Sequence, residues 1–133
     1  MKMREIKFRA WDNVKDRMYY LGEEDDVVFH FESNGIVATD ITENEEEFRT
    51  LHHLKYMQHT GLKDKNGKEI YEGDVLKFSG NVVALGIVKY NENFATFQAC
   101  NGNSGWLFGN ESGTSIEIIG NVYENLDLVG ASK

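Results

Sequence analysis

Ile6, Phe8 and Ala10 alternate with Lys7 and Arg9, and Trp11 follows, a period-two pattern that predicts a strand with one wet face. The polar run at 12–16 reads as a turn, after which the chain returns through the apolar residues 18–21. Residues 27–31 and 36–41 form a second apolar pair around Asn34-Gly35, and 82–90 with 94–99 form a third around Asn91, Glu92 and Asn93. Runs at 55–59, 106–108 and 116–119 complete the series. Many short strands separated by turn signals favour a small barrel or sandwich over a parallel α/β sheet.

One segment departs from the period of two. Thr42-Glu43-Asn44-Glu45 fits a capping box, in which the Thr hydroxyl and the third-position Glu satisfy exposed N–H groups reciprocally. Glu43, Glu45, Glu46 and Glu47 would lie near the positive end of the helix dipole, and Phe48, Leu51 and Leu54 are spaced three apart. The pattern predicts one short helix over 43–53. The expected organisation is therefore an N-terminal β-hairpin and short-helix region, 1–54, and a β-barrel region, 55–133, which could also form one compact unit.

Composition sharpens the β reading. Proline is absent, so turns must use residues that tolerate positive φ, and the chain has three Asn-Gly pairs, at 34–35, 66–67 and 101–102. No apolar run approaches the ~20 residues of a membrane helix. The N-terminal residues are charged and alternating, unlike a signal peptide. A single cysteine, Cys100, cannot form an internal disulfide and fits a reducing cytoplasm.

The net charge of −8 is localised. Residues 23–47 hold ten acids and no Lys or Arg, while the rest of the chain holds twelve acids against fourteen bases. Such a window is a solvated face, a docking surface for a basic protein, or a mimic of phosphate spacing. It would repel a nucleic-acid backbone.

The stretch TGLKDKNGKEIYEGDVLKF, 60–78, interleaves four Lys with four acids. Asn66-Gly67 makes a turn, and Leu62, Ile70, Tyr71, Val75, Leu76 and Phe78 supply apolar anchors. Glu72 and Asp74 are its acid pair, but no histidine or metal set accompanies them, so the stretch reads as a turn entering a barrel strand.

Three blocks, REIKFRAWD, YMQHTGLKDKNGKEIYEGDVLKF and IEIIGNVYENLDLV, resemble the YopX family of small phage and prophage proteins. They frame nearly the whole chain, and the middle block is long and ungapped. One departure is Leu126, where the family pattern commonly has Pro, which bears on the local turn. The resemblance implies a mainly-β fold with an SH3-like barrel in the C-terminal part, and it supplies no catalytic residues.

The remaining candidate chemistry is sparse. Adjacent His52 and His53 would diverge on a helix, and His30 and His59 lie elsewhere without zinc-ligand spacing, so no metal or cofactor is expected. Cys100 has no histidine nearby in sequence to activate it. The sequence leads to a non-enzymatic protein-binding or assembly module. Glu43, Glu45, Glu46 and Glu47 would face a basic partner, and exposed Tyr and Trp would anchor a partner or a second copy. The alternative is a single-stranded nucleic-acid binder using Lys63, Lys65, Lys68 and Tyr71, which the balancing acids weaken.

Overall fold

The computed structural model describes residues 7–33, 35–42, 48–80, 83–102, 104–106 and 115–125. Among them the regular structure is all strand, in antiparallel pairs. The chain divides into two compact units, Lys7–Tyr56 and a second built from Met57–Lys133.

In the first unit, β1 (Phe8–Asp12) and β2 (Arg17–Tyr20) form a hairpin that closes with Asp12 opposite Arg17. β3 (Val27–Glu32) and β4 (Gly35–Asp40) form a second, closing with Glu32 opposite Gly35. β5 (Arg49–Leu51) adds to the free side of β4. Ala10, Tyr19, Val27, Ala38 and Leu54 are buried together, with Phe29, Leu51 and Tyr56 packed against them. Phe8 meets Phe29 and Tyr56 edge to face, at ring separations of 5.3 and 5.8 Å, the arrangement the ring quadrupoles favour.

Two expectations are corrected here. The helix predicted over 43–53 is absent where it can be seen. Residues 43–47 lie outside the described residues, Arg49–Leu51 is strand, and 52–54 has no regular structure. A helix of about eleven residues is marginal in water on its own. The edge of β4 offers the same backbone a ladder instead, pairing Thr39 with Thr50 and Ala38 with Leu51. The predicted wet face of β1 is also covered, since all five of its residues, Arg9 and Asp12 included, are buried. Polar alternation marked which side chains are charged, not which are wet.

In the second unit, β6 (Lys55–Lys63, its first two residues closing the first unit) pairs with β7 (Glu69–Tyr71) across the 64–68 turn. β8 (Asp74–Ser79), β9 (Ala84–Asn91), β10 (Thr96–Asn101) and β11 (Ser104–Trp106) then meander, and β12 (Ser115–Asn121) returns beside β8. This five-stranded sheet is a half-barrel. Ile70, Leu76, Phe78, Val88 and Ala99 form its buried core, flanked by Trp106, Ile116 and Ile118.

Gly86 sits under Trp106. A methyl group there would come within 2.9 Å of the Ala99 Cβ and 3.1 Å of the Trp106 ring. Gly86→Ala is therefore expected to destabilise the protein by about 2 kcal/mol through overpacking. The reading is a lower denaturant midpoint at unchanged slope, and a smaller loss when Trp106→Leu has already made room.

The turns share one device. Asp12 Oδ1 accepts from the Val14 and Lys15 N–H groups, Asn91 Oδ1 from Asn93, and Asn121 Oδ1 from Tyr123 and Glu124. In a chain without proline, these Asx turns fix the chain reversals through side-chain acceptors.

Candidate functional site

The most polar cluster of the first unit is built on Asp12, at the end of β1. Its carboxylate is fully buried. The Tyr19 hydroxyl donates to Oδ2 at 2.8 Å, and His53 Nε2 lies 2.7 Å from Oδ1, which also serves the turn. Burial raises the Asp12 pKa, but the bonds from Tyr19, His53, Lys15 and Val14 outweigh it and bring it to about 2. Burial and the adjacent carboxylate push the Tyr19 phenol well above its ordinary 10. An acid that orients an imidazole is half of a nucleophile-activating device. Among the described residues, His53 hydrogen-bonds only to Asp12, so the pair here ties the 52–54 segment to the β1–β2 turn.

Arg17 organises the next layer. It lies 4.4 Å over the Tyr19 ring and donates to Asp26 through two nitrogens, at 2.7 and 2.8 Å, and to Glu24 at 2.7 Å. The bidentate contact with Asp26 is the main cause of that carboxyl's lowered pKa. Part of the acidic window is thus structural. Glu23, Asp25 and Glu32 remain exposed, with no Lys or Arg ion pair among the described residues. Glu43, Glu45, Glu46 and Glu47 lie outside those residues.

The exposed acids flank β3, a sheet edge. Ile41 N–H donates to the Asp26 carbonyl at 2.8 Å. Because bonded pairs alternate along an antiparallel ladder, Val28, His30 and Glu32 direct their backbone groups at β4. Val27, Phe29 and Phe31 direct theirs away from it. Val27 is buried, whereas the Phe31 residue is 62% exposed.

Among the residues of the alternative reading, Lys63, Lys65 and Lys68 are exposed around the 64–68 turn, and Lys65 approaches Glu117 at 3.7 Å. Tyr71 is only 6% exposed and packs against the His59 ring at 5.3 Å, so a base could stack on it only after that packing opened. The acids of this stretch hold backbone: Glu72 accepts from Gln58 N–H and Asp74 from Tyr71 N–H, each at 2.8 Å. Cys100 is half-buried, with Gln98 Nε2 3.2 Å from its sulfur. Among the described residues, no three metal-ligating side chains converge, and no helix is long and apolar enough to cross a membrane.

Sequence reasoning missed the Asp12–Tyr19–His53 cluster because its members lie up to 41 residues apart. The only local signal was an Asp followed by a four-residue turn.

Fold and contacts define a small antiparallel all-β protein whose buried carboxylates hold its turns. The chain belongs to the YopX family, whose description, YopX protein, matches residues 7–129. Its fold is similar to that of protein yopX from Bacillus subtilis, at 21% identity and a TM-score of 0.66, covering 92% of this chain and 96% of that one. It is also similar to protein EF1440 from Enterococcus faecalis, at 24% identity and a TM-score of 0.61, covering 96% and 99%. No curated protein matches the sequence.

Proposed function

We propose that this chain is a non-enzymatic, phage- or prophage-encoded protein-binding or assembly module that acts in the cytoplasm of a bacterial host. In this reading its half-barrel is an SH3-like scaffold. The observation that carries the proposal is Phe31, largely exposed on an edge strand flanked by exposed acids, with its ring meeting Phe8 edge to face at 5.9 Å. An exposed aromatic on a strand edge that no described strand pairs, beside acids without Lys or Arg partners among the described residues, is a surface built for contact, since aromatic anchors dominate interface energetics. The acids supply long-range attraction for a basic partner. The described polar clusters lend weight by being consumed in turns and tethers.

The test is capture by the tagged protein from bacterial lysate, with and without nuclease, at low and moderate salt, beside a folded Phe31→Ala variant. The expected result is a stoichiometric protein that survives nuclease, leaves with salt, and is reduced severalfold by the variant. Captured nucleic acid, with proteins lost on nuclease treatment, would overturn this reading in favour of the Lys63, Lys65 and Lys68 turn.

A further inference from the structure

Resting on that reading, we infer how the partner is held: an extended, basic segment of another protein adds as a strand to the outer edge of β3, at Phe29–Phe31. Three observations converge on this edge. The backbone groups of Phe29 and Phe31 point away from β4, and no strand pairs with β3 on that side among the described residues. An unpaired edge of this kind is a template for strand addition. Phe31, on the strand itself, is largely exposed although its ring meets Phe8 edge to face, and the exposed part gives an incoming side chain an apolar surface. Beside the edge Arg17 is taken up by Glu24 and Asp26, while Glu23 and Asp25 before the strand and Glu32 at its end, 3.2 Å from His30, are exposed acids with no Lys or Arg partner among the described residues.

The charge selects the occupant. A second copy's β3 brings no Lys or Arg to set against Glu23, Asp25 and Glu32, because residues 23–47 contain none, so self-pairing gathers acids at one edge. An extended segment carrying Lys or Arg on alternate residues meets the same acids favourably. Its main chain supplies the bonds that Phe29 and Phe31 await.

The probe is a synthetic heptapeptide of alternating Lys and Val, compared with its Glu-Val counterpart, each at millimolar concentration. Amide hydrogen exchange of the full chain is followed by NMR. The Lys-Val peptide is expected to slow exchange at the outward amides of Phe29 and Phe31 by about tenfold or more, with little change at Val28 and His30. The Glu-Val peptide should leave all four unchanged. Phe31→Pro removes the outward N–H without touching the β4 ladder, because proline is tolerated where the N–H leaves the sheet. This variant should lose the Lys-Val effect at Phe29.

Equal protection by both peptides, or none by either, would overturn the inference, as would protection that grows with protein concentration alone. If Phe31→Pro does not fold, the two-peptide comparison on the unaltered chain decides alone. Nuclease-resistant, salt-sensitive capture from lysate that Phe31→Ala reduces, beside no difference between the two peptides, would sink the edge-strand mode while leaving the protein-binding reading intact.

Discussion

Asp12→Ala is expected to lower the stability of the protein by about 3–4 kcal/mol, one of the largest losses any single polar substitution here should cause. The carboxylate accepts from two turn amides, from the Tyr19 hydroxyl and from His53. Alanine leaves all four without it. The exposed turn amides can turn to water, but Tyr19 is wholly buried and its hydroxyl would be stranded. Removing both ends is gentler than removing one. Tyr19→Phe alone should cost about 1 kcal/mol, and the double variant should be more stable than the sum of the single losses predicts, by about 1–2 kcal/mol. Equilibrium denaturation of the four proteins completes the cycle, and strict additivity would mean that the Tyr19–Asp12 bond carries no net energy.

The same carboxylate sets a pH dependence. Its pKa falls from the ordinary 3.8 to about 2 on folding, so the unfolded chain binds the proton more tightly. Its contribution, about 2 kcal/mol, is complete above pH ~4 and is lost as pH falls through ~2. Asp26, Asp40 and Asp64 are shifted in the same direction, Asp26 chiefly by Arg17, Asp40 by Thr42, and Asp64 by backbone N–H groups that outweigh its burial. Stability should therefore fall steeply below pH 4, and less steeply in Asp12→Ala.

Strand content was legible because it depends on local rules. Alternation and turn chemistry placed the β1–β2, β3–β4 and β9–β10 hairpins, and Asn66-Gly67 lies in a turn with Gly67 at φ +82°. The other Asn-Gly pairs mark hairpins but do not centre their loops: Gly35 is already paired with Glu32, and Asn101 with Ser104. What could not be read was set by distant partners. Residues 49–51 fall inside the helix that the capping box at 42–45 predicts locally, yet they pair with the edge of β4 instead. The acidic window reads as uniform charge, whereas Arg17, outside the window, takes up Glu24 and Asp26. Tyr71 has the composition of a stacking group, and only its burial shows otherwise.

Asp64 carries the other large prediction, because its two oxygens serve two different places. Oδ1 accepts from Asn66 and Lys68 N–H, each at 2.9 Å, and so shapes the 64–68 turn. Oδ2 accepts from Ile118 N–H at 3.1 Å, while Lys65 N–H donates to the Ile116 carbonyl at 2.8 Å. The turn thereby covers the outer edge of β12, which would otherwise present unpaired groups to a neighbouring molecule. Asp64→Ala removes both services and should cost about 3 kcal/mol. Asp64→Asn distinguishes them, since an amide has one acceptor oxygen and can satisfy the turn or the edge but not both. Amide exchange should then rise at Ile118 or at the pair Asn66 and Lys68, whereas in Asp64→Ala it should rise at all three. Unchanged protection at Ile118 in Asp64→Ala would show that the edge of β12 does not need this carboxylate. With protection lost there, Asp64→Ala should also aggregate more readily as its concentration rises, because the exposed strand has regained a free edge.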